Sequence, residues 1–463
     1  MESGQDREAG GWRMLAGLLA DSHLLALELL PAKASEHAAQ VGFTQVLIYL
    51  ADLQREVLRP LTGGRDGDAA HEAELPVDGS VAGRAYQYGT ITAGAPTGSG
   101  EHHWWVPLLD GTERLGVLRI TTPDEGEGEN EGEGENEDED EGDQQGHEHE
   151  QTEQYMNLLA SVIALIIESK QGISDAHARL TRVRPMNIAA EMQWAQMAPR
   201  TYADGRVVIS AAMEPAYTIS GDAYDYATAA RNAHTVHLAI FDAMGHDTAA
   251  GLTAHLAIGA SRNARRQGAG PVETAARIEE VLVEQFGHGR YVTGLLAELD
   301  TRTGVLTWAN RGHHTPVIIR GSRWSTHLAC PPGPPMGTDL ALPVTLCQDQ
   351  LEPGDRIVLY TDGVTEARGA DDQEFGLTRF TDFLVRHHAD GLPVPETLRR
   401  LVRALLDHHD GRLQDDATVL ICEWLGPEPD PSARAAALVG LPYEPGPAPH
   451  LSRRGPAVSR TPR

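Results

Sequence analysis

Four apolar runs in the second half of this 463-residue chain end on, or open with, carboxylates, and no other feature restricts the fold as tightly. Val207 to Met213 alternates as a strand, and Ser220-Gly221-Asp222-Ala223-Tyr224-Asp225 follows shortly after. Val236 to Phe241 reads as a buried strand ending in Asp242-Ala243-Met244-Gly245-His246-Asp247. Arg356 to Thr361 ends in Asp362-Gly363-Val364-Thr365-Glu366-Ala367, and Asp415-Asp416-Ala417-Thr418 opens the strand Val419 to Cys422. A single Asp beside Gly is ordinarily a turn residue. Four such sites in one domain-sized stretch imply that the strand tips meet. Converging carboxylates raise one another's pKa unless a cation neutralises them. The donors are hard oxygens with no Cys or His cluster, which suits Mg²⁺ or Mn²⁺ rather than zinc. Two such ions sharing a water point to phosphoryl transfer or hydrolysis. Gly221, Ala243 and Gly363 leave room for backbone and ions to approach closely.

The rest of the sequence sets the context. The length favours two domains with tails. The net charge is −29, about half of it in one tract between Asp124 and Glu150. No basic stripe follows a phosphate backbone, so nucleic acid is excluded as a partner. No apolar run reaches the roughly 20 residues of a membrane span, and the N-terminus lacks a basic, apolar leader. Cys330, Cys347 and Cys422 are an odd, widely spaced set, read as three free thiols in a reducing cytoplasm.

Residues 124–153 carry nothing apolar to bury and are expected to form a solvated, disordered insertion. From Glu153 the pattern turns helical, with Met156, Leu159, Val162, Ile163, Ile166 and Ile167 on one stripe, and a second amphipathic run spans Ile188 to Met197. These stripes would serve either as a parallel homodimer seam or as docking faces on the chain's own domains. Upstream, Val46–Leu50 and Val57–Leu61 read as strands and Gly79–Tyr86 as a short helix. Trp104–Leu108 and Leu115–Ile120 form a hairpin about Asp110-Gly111. This order resembles a GAF domain over residues 13–170, which implies a sensor that binds an unknown small molecule. A linker helix at 171–200 and a Pro/Arg-rich disordered tail at 426–463 complete the division.

In order, the motifs SGDAYD, FDAMGHD, NRGHHTP, YTDGVTEA and DDATVL closely resemble the PPM-type protein phosphatases of the SpoIIE-like branch, over about residues 190–424. The resemblance implies an α+β protein: a GAF-like antiparallel sheet with helices, then an αββα sandwich phosphatase domain over 201–425. It implies two Mn²⁺ or Mg²⁺ ions, with Asp242 bridging them and the Ala243 carbonyl beside it. Asp362 and Asp415 would bind one ion and Asp222 the other, with Asp416 as a second member of its pair and Asp225 as a substitute for Asp222. The catalytic set is then Asp242, Asp362 and Asp415, acting on phosphoserine or phosphothreonine without a phospho-enzyme. The implied substrate is a phosphorylated anti-anti-sigma (STAS) protein.

Three letters depart from the usual motifs: Ser220 for Gly, Asp247 for Gly and Arg311 for Ala. His246 is either a proton donor or a brace for its own loop, and His313 and His314 line the margin of the site. Pro332 to Gly337 is a turn-rich approach to the third acidic strand. Two rivals stand beside the phosphatase reading: a catalytically degenerate scaffold, and a two-metal hydrolase of small phosphoesters.

Overall fold

The computed structural model describes residues 2–62, 72–95, 101–123, 138–228, 234–321, 324–369, 372–409, 413 and 415–427. The Pro/Arg-rich segment from 428 and the first part of the acidic tract, 124–137, lie outside them.

The N-terminal part begins with α1 (Glu2–Ser22) and α2 (Leu30–Ala38), followed by β1 (Gln45–Ala51), β2 (Val57–Pro60), β3 (Leu75–Pro76), α3 (Val81–Tyr88) and β4 (Thr92–Ala93). The hairpin β5 (Glu101–Asp110) and β6 (Glu113–Pro123) and the long α4 (Asp138–Gln171) complete it. The six strands form one antiparallel sheet in the order β3-β2-β1-β6-β5-β4. One face buries Met14, Leu18 and Leu30 from α1 and α2 with Met156, Leu159, Ile163 and Ile167 from α4. The other face takes Ala82, Ala85 and Tyr86 of α3. Ser80 starts α3 by accepting from Gly83 N at 2.8 Å, and Gly89 ends it at φ 69°.

One expectation is corrected here. Residues 138–153, read as part of a disordered insertion, are helical and form the first turns of α4. Acidic side chains suit a helix N-terminus, and the apolar stripe that follows anchors the helix by packing. That stripe, offered either as a dimer seam or as a docking face, packs on the chain's own sheet.

Two shorter helices, α5 (Asp175–Thr181) and α6 (Ile188–Gln196), lead into the second part. Its first strands and helices are β7 (Thr201–Ala203), β8 (Val207–Glu214), β9 (Asp222–Thr228), β10 (Thr235–Ala243), α7 (Thr248–Arg266) and α8 (Pro271–Phe286). Then come β11 (Val292–Asp300), β12 (Val305–Arg311), β13 (Val317–Arg320), β14 (Trp324–His327), β15 (Leu346–Gln350) and β16 (Arg356–Tyr360). The chain continues through α9 (Asp362–Thr365), α10 (Leu377–Ala389), α11 (Val394–His408) and β17 (Ala417–Trp424).

A five-stranded sheet, β15-β12-β11-β10-β9, packs against a six-stranded sheet, β14-β13-β16-β17-β8-β7. Between them lie Ile209, Leu238, Ile240, Leu299, Trp308, Ile357 and Leu420. Outside, α7 and α8 cover the first sheet through Ala254, Ile258, Ile278 and Leu282, and α10 and α11 cover the second through Phe380, Leu384, Leu398 and Leu401. The four layers form an αββα sandwich, and the protein as a whole is α+β.

The cysteine reading is also corrected. Cys330 and Cys347 are disulfide-bonded, and only Cys422 is free and buried. Their separation of 17 residues carries no signal. The contact exists because β15 returns beside β12, placing Cys347 opposite Trp308. No single helix among the described residues is long and apolar enough to cross a membrane.

Polar contacts join the two parts. Asp78, ahead of α3, accepts from Arg399 Nη2 of α11 at 2.6 Å and also pairs with Arg403. Arg200 donates to Leu53 O at 2.9 Å, and Gln54 Nε2 faces Glu214 at 3.3 Å.

Candidate metal centre

The carboxylates predicted from the strand tips meet at one end of the sandwich, brought together by strand register. On the five-stranded sheet Asp242, near the end of β10, stands opposite Asp222 of β9 and Thr293 of β11. On the other sheet Asp362 opens α9 directly after β16, and Asp415 and Asp416 immediately precede β17, which pairs with β16. The cluster is graded: Asp222 and Asp416 are buried, Asp242 and Asp362 partly covered, and Asp415 exposed.

Hydrogen bonds tie the two sheets together here. Gly221 N donates to Asp416 Oδ2 at 2.5 Å, and Asp416 N donates to Asp415 Oδ1 at 2.9 Å. Thr361 Oγ1 donates to Asp222 Oδ2 at 2.7 Å and accepts from Thr418 N at 2.9 Å. Thr361 was read only as the end of a strand, yet it is fully buried and fixes the orientation of one site carboxylate. Its one signal was its place between the apolar run 357–360 and Asp362.

The glycines are sterically required. A Cβ on Gly363 would lie 1.9 Å from Asp416 O, and one on Gly221 would lie 2.7 Å from Ala243 O and 2.5 Å from Gly245 O. Gly363→Ala must therefore push α9 away from the Asp415–Asp416 turn, with an expected cost of about 2–3 kcal/mol in urea unfolding. An unchanged midpoint would contradict this close packing.

Burial is the largest influence on the inner carboxyls, followed by their neighbours. It raises Asp222 well above the usual range, with Asp242 and Asp416 adding to the effect. Asp242 is pushed up to about 7 by burial and by Asp362, Asp415 and Asp416. Asp416 is pushed up to about 6, chiefly by burial. The His314 imidazole offsets part of that rise at Asp242. Among the described residues no Arg or Lys is ion-paired with Asp222, Asp242, Asp415 or Asp416. Buried oxygen donors without an Arg or Lys partner are the donor chemistry a hard divalent cation requires, so the residues fit such an ion. Among the described residues no group of three or more His, Cys, Asp or Glu side chains is already spaced to hold a metal ion.

A pH dependence follows. A carboxyl whose folded pKa is raised stabilises the fold below its unfolded pKa, and that contribution is lost as pH rises through the folded value. For Asp242 and Asp416 the window runs from about 4 to about 7. Buried Glu214, pushed up to about 7, acts in the same direction. The chelator-treated protein is therefore expected to melt several degrees higher at pH 5.5 than at pH 7.5, and excess Mn²⁺ to narrow that gap. A metal-free melting temperature that is flat or rises with pH would refute it.

The neighbouring histidines differ. His313 is buried, with Nε2 3.1 Å from Tyr360 O and Nδ1 2.9 Å from Thr293 Oγ1. A carbonyl can only accept, so Nε2 carries a proton. Burial lowers its pKa to about 4. His314 is more open, stacks on Tyr360 and stands 3.9 Å from Asp362. It is the largest influence holding Asp362 below the usual range, and at that distance it acts as a charge partner rather than a hydrogen-bond donor.

Asp225, offered as a substitute for Asp222, is not in the cluster. It is buried against Arg262 and Arg265 of α7, because three residues along a strand reverses the side chain's face. Asp247 is the N-cap of α7, accepting from Ala250 N at 2.8 Å and pairing with Arg290 at 3.2 Å. Ser220 Oγ accepts from Asp222 N at 2.9 Å. Arg311 binds Pro334 O at 2.6 Å and Glu279 at 2.9 Å, strapping the Pro-rich turn to α8. His246 lies exposed in the turn before α7. Ala243 is buried and donates its N–H to Gly221 O at 3.0 Å.

A four-layer sandwich with an acidic cluster across its two sheets is the arrangement that the resemblance to PPM-type phosphatases implies. Residues 232–425 match the family model described as Stage II sporulation protein E (SpoIIE). Protein IcfG of Synechocystis sp. is 28% identical over 141 residues, 30% of this chain and 22% of that protein. Phosphoserine phosphatase RsbU of Bacillus subtilis is 24% identical over 238 residues, 51% of this chain and 69% of that protein. The crystal structure of the RsbU and RsbW domains of Rv1364c from Mycobacterium tuberculosis is 20% identical with a TM-score of 0.44, covering 50% of this chain and 64% of that one.

Proposed function

We propose that the protein is a divalent-metal-dependent phosphoprotein phosphatase acting on phosphoserine or phosphothreonine, with a small phosphorylated STAS-type regulator as substrate. The observation that carries this reading is the convergence of Asp222, Asp242, Asp362, Asp415 and Asp416 across the two sheets, without a basic partner for the inner three. Similarity to the phosphoserine phosphatase RsbU supports the substrate class. Asp242, Asp362, Asp415 and Asp222, with the Ala243 carbonyl, would hold two Mn²⁺ or Mg²⁺ ions.

Such ions supply positive charge to phosphoryl oxygens and make water a better nucleophile near neutral pH. The chain's own residues set the geometry for that chemistry. Thr361 holds the Asp222 carboxylate in one orientation, while Gly221 and Gly363 let the two sheets' loops close on each other. His314, its pKa raised chiefly by Asp362, keeps a ring proton at the outer rim, where a leaving serine oxygen would depart. The integration of Ser220 and Asp247 into local hydrogen bonds argues against decay of the site and so against the scaffold reading.

The N-terminal part is proposed as a GAF-like regulatory domain acting through its contacts at Asp78, Leu53 and Gln54. The test of substrate class is phosphate release at fixed Mn²⁺ from a phosphoserine STAS protein and from small phosphomonoesters. A preference for the protein in kcat/KM is expected. Faster turnover of nucleotides or sugar phosphates would favour the small-phosphoester hydrolase.

A further inference from the structure

Asp222 opens β9, the edge strand of the five-stranded sheet. One side of β9 is paired with β10, and the outward backbone groups at its start have no neighbouring strand. Those groups are met by one side chain. Gln193 of α6 is 1% exposed, and its Nε2 donates to Asp222 O at 2.7 Å and to Ser220 O at 3.2 Å. Its Oε1 accepts from Ser220 N at 3.0 Å. A single amide thus replaces the missing strand over three residues. The remaining backbone N–H groups of the stretch go to Asp416 Oδ2 and Ser220 Oγ, and Gly221 O accepts from Ala243 N. The backbone of residues 220–222 is fully satisfied, with three of its bonds from Gln193.

We infer that Gln193 is a positioning residue for the metal centre: it fixes the Ser220–Asp222 backbone, and thereby the Asp222 carboxylate, in its ion-binding place. The inference rests on the metal-dependent reading above. The chemistry is specific to glutamine. Glutamate would set an acceptor against two carbonyl oxygens, methionine keeps the volume but makes none of the bonds, and asparagine is one methylene short. The neighbouring residues of α6 hold other points. Trp194 Nε1 donates to Ala216 O at 2.8 Å, and Gln196 Nε2 donates to His255 O of α7 at 3.1 Å. Gln196 therefore reports on helix docking without touching the Asp222 stretch.

The experiment uses the full chain and two readouts: the Mn²⁺-induced rise in melting temperature without substrate, and the Mn²⁺ dependence of phosphate release. Partners that orient a metal ligand typically contribute ~10–100-fold in metal affinity. Gln193→Met is expected to raise the half-saturating Mn²⁺ concentration by about that factor in both readouts. Phosphate release at saturating Mn²⁺ should stay within about threefold of wild type, since no substrate contact is lost. Gln196→Met should titrate like wild type. If Gln193→Met does not fold, Gln193→Asn carries the comparison, with the same direction expected. Wild-type titration of the Gln193 variants overturns the inference alone. So does an equal shift in Gln196→Met, which would assign the effect to helix docking. A wild-type chain that neither binds Mn²⁺ nor releases phosphate overturns the metal-dependent reading together with this inference.

Discussion

Asp242→Asn is expected to lower phosphate release on the order of 10³-fold at saturating Mn²⁺ while making the metal-free protein more stable. Both effects come from the same place in the fold. Asp242 sits between Asp222 and Thr293 in the sheet and is the carboxyl on which Asp362, Asp415 and Asp416 all act. Without an ion, folding must confine this charge beside its neighbours, and the carboxyl answers by holding its proton to about 7. Asparagine keeps the shape and removes that cost, a stabilisation on the order of 2 kcal/mol at pH 7.5. It also removes the charge best placed to be shared by two cations, so the Mn²⁺-induced rise in melting temperature should vanish with the activity. Differential scanning calorimetry with chelator and with Mn²⁺ reads both. A variant that loses activity, is less stable without metal and still responds to Mn²⁺ would show Asp242 to be structural.

The largest stability effect is expected far from the site. Arg356 opens β16 and Glu423 lies late in β17, directly opposite in register. Their Nε–Oε2 distance is 2.8 Å, with side-chain exposures of 1% and 0%. Glu423→Ala leaves a guanidinium in the interior and should cost about 3–5 kcal/mol. The double replacement Arg356→Met with Glu423→Leu should recover most of that loss, because two apolar side chains need no compensating charge. The pair lies at the strand ends opposite those carrying Asp362 and Asp415, so the folded double variant should keep wild-type metal dependence. Urea unfolding measures both variants. A single replacement costing under about 1 kcal/mol would mean that water reaches the pair.

The carboxylate cluster was legible because strand periodicity is local and the tips of adjacent antiparallel strands must coincide. Asp222 and Asp242 could be placed together for that reason alone, and Asp225 could not: its three-residue offset turns it toward Arg262 and Arg265, on a helix whose position no strand pattern specifies. Gln193 was read as one letter in an amphipathic helix, since nothing in a helical stripe says that a polar residue will complete the edge of a distant strand. The Cys330–Cys347 bond and the Arg356–Glu423 pair depend on strands returning from elsewhere in the sequence. The helix within the acidic tract was missed for a different reason. Composition argued from the segment's inability to bury anything, whereas the packing that supports α4 comes from the residues after it. The departures Ser220, Asp247 and Arg311 each have a local structural task that only the fold reveals.

The most direct test of the metal-dependent phosphatase is phosphate release from a phosphoserine protein by the full chain, followed as Mn²⁺ is added back after chelation. Turnover that is absent with chelator, rises to saturation with Mn²⁺ and is lost in Asp242→Asn is the predicted result. Folded protein that releases no phosphate at any Mn²⁺ concentration, or releases it equally with chelator present, would contradict it.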